Sequence, residues 1–99
     1  MSKKRGTVEQ DVFRDLGFPA EESANLKLRS QLMIAISKLI DARGLTQSEA
    51  AELLGVSQPR VSDLVRGKLE RFSIDTLVAM LGAAGVQVTI SVRPIRAIA

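Results

Sequence analysis

The sequence predicts a mainly α-helical domain of about five helices with one C-terminal β-strand. Three observations lead to this prediction. Apolar residues recur at the helical spacing i, i+3, i+4 over most of the chain. Glycines follow these stretches, where a left-handed residue ends a helix without steric cost. Near the C-terminus the apolar spacing changes to strict alternation, which is typical of a half-buried strand.

Residues 1–18 are predicted to form an arm before the helical domain, which we assign to 19–85. Four apolar residues cluster at the end of this arm: Val12, Phe13, Leu16 and Phe18. We expect the cluster either to cover the domain's own core or to contact a partner protein. The sequence leaves both interpretations open.

A long helix is predicted to begin near Pro19, because proline and the acidic residues Glu21 and Glu22 are favoured in a first helical turn. It is expected to run to Arg43 and to end at Gly44. The residues of its buried stripe are Leu32, Met33, Ile36, Leu39 and Ile40.

Residues 46–67 predict two short helices joined by a tight turn. Thr46 and Glu49 have the T-x-x-E spacing of a capping box, which satisfies two backbone N–H groups at a helix start. The first helix is therefore expected to begin at Gln47 and to end at Gly55. Its apolar stripe is formed by Ala50, Leu53 and Leu54, and Ala51 is small enough for a neighbouring helix to approach closely.

The second helix of this pair is predicted to lie between the N-cap Ser57 and Gly67. Pro59 falls in its first turn, where the missing N–H breaks no hydrogen bond. The residues expected to face inward are Val61, Leu64 and Val65. The residues left on the outside are Gln58, Arg60, Ser62, Asp63 and Arg66. Such a polar face indicates a helix-turn-helix, whose second helix lies in the DNA major groove. A pair of helices that only pack together is the alternative.

The chain after this pair predicts one more helix and then the strand. Ser73 is expected to cap a helix that ends in the glycine-containing stretch 82–85. Its inward residues are Ile74, Leu77, Val78 and Leu81. The alternating residues of the strand are Val86, Val88, Ile90 and Val92, and Pro94 is expected to end it.

A single strand cannot satisfy its own N–H and C=O groups. We therefore expect residues 86–92 to pair antiparallel with the same segment of a second copy across a two-fold axis. This prediction assigns 86–99 to a dimerisation strand and tail. Pairing with the chain's own residues 7–12 is the alternative.

Composition argues against several classes of function. The chain has no histidine and no cysteine, which removes the commonest general base, the commonest metal ligand and any thiolate site. We also find no phosphate-binding glycine-rich loop, so an enzyme, a metal or a cofactor is not expected. The N-terminal run Met1-Ser-Lys-Lys-Arg lacks an apolar signal-peptide core, and no apolar stretch is long enough to span a membrane, which predicts a cytoplasmic protein without a membrane partner.

The net charge of +3 is compatible with a nucleic-acid partner. Its distribution is more specific, because basic residues exceed acidic ones in residues 56–72. This segment holds Arg60, Arg66, Lys68 and Arg71 against Asp63 and Glu70. The surplus coincides with the second helix of the pair and the loop that follows it. A solvated face with no partner is the alternative interpretation.

The helix pair resembles the helix-turn-helix of the XRE family, which contains the phage repressor and Cro proteins. The positions that carry the resemblance are Gln47, Ala51, Gly55, Val61 and Leu64. The resemblance implies a lambda-repressor-like helix-turn-helix bundle. It also implies a sequence-specific transcriptional regulator that binds double-stranded DNA as a homodimer on a palindromic operator.

Further runs extend this resemblance over nearly the whole chain. They are Phe13-Arg-Asp-Leu-Gly-Phe-Pro, Arg43-Gly-Leu-Thr-Gln-Ser-Glu-Ala-Ala, Arg66-Gly-Lys-Leu and Phe72-Ser-Ile-Asp-Thr-Leu. Together they are similar to short HigA-type antitoxins, which implies a repressor of its own operator partnered by a RelE-like toxin ribonuclease. The alternative is a stand-alone phage- or XRE-type repressor with no toxin partner.

Carried over position by position, the resemblance implies separate roles in DNA binding. Gln47 is expected to reach a phosphate from a helix N-terminus, and Gln58 to pair with adenine in the major groove. Ser62 and Asp63 lie where base contacts are expected, and for Asp63 an ion pair with Arg60 or Arg66 is the alternative. Pro59 departs from the family pattern and offers only van der Waals contact. The other residues assigned to the DNA interface are Ser57, Arg60, Arg66 and Lys68, the last three as phosphate ligands.

Overall fold

A computed structural model of the chain describes residues 20–94, with side chains from residue 22 onward. The elements in this part are α1 (Ala20–Ala42), α2 (Gln47–Leu54), α3 (Gln58–Val65), a short 3-10 helix (Leu69–Arg71) and α4 (Ile74–Ala83). The mainly helical class is confirmed. Residues 20–94 hold four α-helices, whereas the sequence predicted about five for the chain. The predicted arm and its apolar cluster lie outside the described residues.

Helix α1 supplies one wall of the hydrophobic core. Leu32, Met33, Ile36 and Ile40 are buried as predicted, and Leu39 is partly buried. The helix ends before Gly44, which adopts a φ of 62°. It packs against α4 and also contacts α3 and the 3-10 helix. Along its length, α1 therefore supports both the helix pair and the segment that follows it.

The helix pair forms as its local signals predict. The Thr46 side chain accepts a hydrogen bond from the N–H of Glu49 at 3.1 Å, and Glu49 Oε1 accepts from the N–H of Thr46 at 2.8 Å. This reciprocal capping box starts α2 at Gln47. Gly55 ends the helix with a φ of 70°, and the N–H of Val56 donates to Ala51 at 3.0 Å. The N–H of Gly55 donates to the carbonyl of Glu52 at 3.4 Å, and the two bonds together form the Schellman turn between α2 and α3.

The core lies where all four helices meet. Its innermost side chains are Phe72, Ile36, Leu64, Leu77, Met80 and Val61. Helix α2 packs against both α3 and α4, with Ala50 and Ala51 at its buried face. Because alanine has a short side chain, the neighbouring helices can approach α2 closely. The predicted inward face of α3 is confirmed for Val61 and Leu64.

Val65 is an exception to the predicted pattern, because its side chain is 45% exposed. It is the last residue of α3. Ile34 on α1 is also exposed, and the two side chains border the same shallow depression. Helical periodicity predicts which face a residue is on, but not how completely the neighbouring helix covers that face.

Residues 86–94 form no strand within the described chain, so the predicted strand at 86–92 is not confirmed. The N–H of Val86 donates to Leu81 at 2.9 Å, but no hydrogen bond joins the backbone of 87–94 to another described residue. Val86 and Val88 pack against the core. Ile90 is 53% exposed and Val92 is 90% exposed. The first half of the segment thus contacts the core and the second half extends beyond it, and the backbone groups of 87–94 have no partner among the described residues.

No helix between residues 20 and 94 is long and apolar enough to cross a membrane.

Candidate nucleic-acid interface

Helix α3 is held by its apolar side and presents its polar side outward. Val61 is completely buried and Leu64 is 2% exposed. Ser57 caps the helix by accepting the N–H of Arg60 at 3.4 Å, and Pro59 lies in the first turn as predicted. Gln58 and Pro59 are exposed, and Ser62 is partly buried. Because Val61 and Leu64 are buried and the start of the helix is capped, the side chains at the N-terminal end of α3 have a fixed position on the domain.

Gln47 lies at the N-terminus of α2, next to the capping box. Its side chain is exposed. The backbone N–H groups of a first helical turn have no partner within the helix, and the helix dipole favours anions there. Glu49 in the same turn is already engaged with Thr46. Gln47 is exposed at this helix end, and its contact with a phosphate stays a prediction.

Arg60 is engaged within the protein, which the sequence did not indicate. Its guanidinium carbon lies 4.5 Å from the centre of the Phe72 ring, a cation–π arrangement. One guanidinium nitrogen also donates to the carbonyl of Arg71 at 3.0 Å. A phosphate contact by Arg60 stays a prediction, and it would have to use the remaining N–H groups or displace these two interactions.

Asp63 pairs with an arginine that the sequence did not single out for it. A single guanidinium nitrogen of Arg71 donates to Oδ1 and Oδ2 of Asp63, both at 3.1 Å. The carboxylate side chain is only 18% exposed. Neither Arg60 nor Arg66, the two partners expected from helical spacing, takes this place. Arg71 lies eight residues away across a loop, so periodicity along α3 gives no signal for it.

The 3-10 helix that carries Arg71 is fixed from the other side by Arg29 of α1. A guanidinium nitrogen of Arg29 donates to the carbonyls of Leu69 at 3.0 Å and Phe72 at 3.4 Å. Its Nε donates to Asn25 Oδ1 at 2.7 Å, which orients the side chain. Arg29 gives no signal in the sequence, because a polar residue on a long helix usually faces solvent. The contacts run from α1 through the 3-10 helix to α3.

These pairings reduce the basic surplus near α3. Arg71 is paired with Asp63 and lies 4.0 Å from Glu70. Arg66 is exposed and Lys68 partly buried, and neither forms an ion pair within residues 22–94. Of the basic residues counted from the sequence in 56–72, these two therefore remain most available to a polyanion.

A capped helix, a Schellman turn and a second helix with an exposed polar start define a helix-turn-helix protein. The family model for the helix-turn-helix domain matches residues 12–93. The chain belongs to this family and is a DNA-binding regulator. The family is typically non-enzymatic. No curated protein matches the chain.

Proposed function

We propose that the protein is a dimeric transcriptional repressor that reads a palindromic operator with α3. The observation that carries the proposal is the division of this helix into a buried side and an exposed one. Val61 and Leu64 fix the helix in the core, while Gln58 is exposed at its N-terminal end. In helix-turn-helix proteins the N-terminal residues of the second helix contact base edges in the major groove.

Some of these side chains are assigned to base contacts and others to phosphate contacts. Gln58 carries an amide that can donate to and accept from adenine, and Ser62 follows one turn later. Gln47, Arg66 and Lys68 are assigned to phosphates, which fix the register without reading sequence. Ser57 serves as a helix cap, so its contribution to DNA binding is through the backbone at the start of α3. Pro59 contributes van der Waals contact.

Dimerisation through residues 86–92 would set the distance between two reading helices. The apolar side chains of Ile90 and Val92 are exposed, and the backbone around them has no partner within the described chain. Antiparallel pairing with a second copy would bury these side chains and give the backbone groups hydrogen-bond partners. Dimers of this class bind half-sites about one helical turn apart, roughly 34–36 Å. The first half of the segment, at Val86 and Val88, would anchor the ribbon to each domain.

We further propose that this repressor is the antitoxin of a type II pair and acts in the cytoplasm. The support is the sequence resemblance to HigA-type antitoxins, together with the apolar cluster that the sequence places at Val12, Phe13, Leu16 and Phe18. A RelE-like ribonuclease encoded by the neighbouring gene would be that partner. Co-purification of the two products, and loss of toxicity on co-expression, tests this role. A neighbouring gene product that neither binds nor is neutralised would leave the stand-alone repressor.

Selection of binding sites from randomised double-stranded DNA tests the DNA-reading role. The selected site is then titrated with the wild type, Gln58→Ala and Lys68→Ala at several salt concentrations. Gln58→Ala is expected to weaken binding by about 1–3 kcal/mol and to relax preference at one base pair. Lys68→Ala is expected to weaken binding to all sequences alike and to lower the salt slope by about 1.

Lys38→Ala is the matched control, because Lys38 is exposed on α1 outside the helix pair. It removes the same charge as Lys68→Ala and is expected to leave affinity and salt slope within error. Failure to enrich any sequence would contradict the proposed function. A Gln58→Ala variant with unchanged base preference would show that another residue reads the DNA.

A further inference from the structure

Arg71 contacts α3 at two points, one helical turn apart. Its backbone carbonyl accepts a hydrogen bond from Arg60, and its guanidinium donates to both carboxylate oxygens of Asp63. Residues three apart on a helix lie on the same face. Arg71 therefore spans one side of the helix that carries the proposed readers.

Asp63 is the single acidic residue of α3, and its position makes an unpaired charge there unfavourable for DNA binding. It follows Ser62 directly and lies on the helix that would enter a groove bordered by phosphates. A free carboxylate there would repel those phosphates over a distance of about 8–10 Å at ordinary salt. The same carboxylate, held by Arg71 and 18% exposed, is electrically neutralised.

The Arg71 guanidinium faces two carboxylates, although its side chain is 49% exposed. One of its nitrogens is shared between the two oxygens of Asp63, and Nε lies 4.0 Å from Glu70 Oε2. A phosphate would have to compete with these carboxylates for the guanidinium. Arg66 is also exposed, but it has no ion pair within the described residues.

We propose that Arg71 is a positioning residue for DNA recognition. By pairing with Asp63, it cancels the acidic charge of α3 and keeps this carboxylate from acting as a base reader. Asp63 then accepts no hydrogen bond from a cytosine, and the reading side chains are Gln58 and Ser62. This inference rests on the proposed function, since it assigns how the reading helix of that repressor is kept compatible with DNA.

A double-mutant cycle tests the inference. The proteins are the wild type, Arg71→Ala, Asp63→Asn and the double variant, each titrated with the DNA site selected by the wild type. Arg71→Ala leaves the backbone carbonyl that accepts from Arg60, so the change isolates the guanidinium. We expect Arg71→Ala alone to weaken binding about tenfold, and to have less than about a twofold effect in the Asp63→Asn background. Asp63→Asn alone is expected to leave base preference unchanged.

Arg66→Ala in the same two backgrounds is the control for a direct phosphate ligand. It should weaken binding by the same factor with Asp63 present or replaced, and should lower the salt slope by about 0.9. Arg71→Ala should not lower the slope in this way. All variants are expected to stay folded, because an exposed ion pair contributes only about 0.2–1 kcal/mol to stability. Circular dichroism at the assay temperature checks this.

Each result has a distinct meaning. If Arg71→Ala behaves like Arg66→Ala, with equal losses in both backgrounds and a lower salt slope, Arg71 is a phosphate ligand and the inference is wrong. If Asp63→Asn abolishes a preference for cytosine that the wild type shows at one position, Asp63 is a reader and the inference is also wrong. Absence of sequence-selective binding by the wild type would overturn the proposed function together with this inference.

Discussion

Single residues in the turns fix the geometry that the two helices need. Gly55 has a φ of 70°, and a Cβ placed on it would lie 3.9 Å from the Cβ of Ala83. That distance is an ordinary contact, so space does not exclude a side chain there. The backbone conformation disfavours a side chain at position 55, because the left-handed region is costly for a residue with a Cβ.

Gly55→Ala is expected to lower the free energy of unfolding by about 1–2 kcal/mol, because alanine is strained at this φ. The matched control is Gly82→Ala, which makes the same chemical change inside α4 with no atom within 4 Å of the new Cβ. There we expect a gain of about 0.5–1 kcal/mol, since glycine lowers helix stability relative to alanine. Urea denaturation of both variants measures the difference. Equal effects would contradict the assigned role of the turn.

Arg29 acts at a distance from the helix pair by holding the 3-10 helix. Replacing it by methionine keeps much of the aliphatic stem and removes the donors to the carbonyls of Leu69 and Phe72. We expect Arg29→Met to lower the free energy of unfolding by about 1–3 kcal/mol, because part-buried hydrogen bonds from a charged group are lost. Lys38→Met on the exposed side of α1 serves as control and should change stability by less than about 0.5 kcal/mol. A neutral Arg29→Met would show that the 3-10 helix holds without this anchor.

At the scale of secondary-structure elements, the sequence predicted the parts whose signals are local. Thr46, Ser57 and Ser73 each cap a helix through a side chain only three residues from its partner, so spacing alone identifies them. Val61 and Leu64 follow from periodicity. The sequence did not predict the pairings Arg71–Asp63 and Arg29–Leu69, because these depend on how a loop and a distant helix meet in three dimensions. The sequence therefore indicated the candidate interface, but it gave no sign that Arg71, one of the basic residues counted there, is paired with Asp63.

The C-terminal segment shows the same limit for a strand. Alternation at 86–92 predicts which side chains share a face, but a strand also needs a neighbour, and the described single chain provides none. The structure adds that the segment has two halves. Val86 and Val88 contact the core, whereas Ile90 and Val92 extend beyond it. Dimer contacts are therefore expected from the second half.

If residues 86–92 join two copies as proposed, replacing Ile90 and Val92 together by lysine should give a monomer with a folded domain. Both side chains are exposed in the single chain, so their loss removes little from the core, and like charges would oppose strand pairing. Light scattering gives the mass, and circular dichroism reports the helices. Gln87→Lys, at an exposed position of the same segment on the alternate face, is the control and should remain dimeric. A double variant that stays dimeric would place the interface elsewhere.

At the scale of the whole molecule, the proposed dimer would combine general attraction to DNA with specific reading by α3. The net charge of +3 favours DNA of any sequence, while near α3 the charge of Arg71 is paired with that of Asp63. Sequence selectivity would then depend on a few polar groups of α3 and on two copies held at groove spacing. Two half-sites would double the number of specific contacts, so dimerisation would compensate for the small set of proposed readers on each helix.

Footprinting of the DNA upstream of the gene tests the central claim that α3 reads an operator as part of a dimer. Hydroxyl-radical cleavage with the wild type is expected to show a palindrome with half-sites about 10–10.5 base pairs apart, centre to centre. The monomeric variant with lysine at positions 90 and 92 should protect the site only at much higher concentration, and Gln58→Ala should lose the selective footprint. A uniform or absent protection by the wild type would contradict the account.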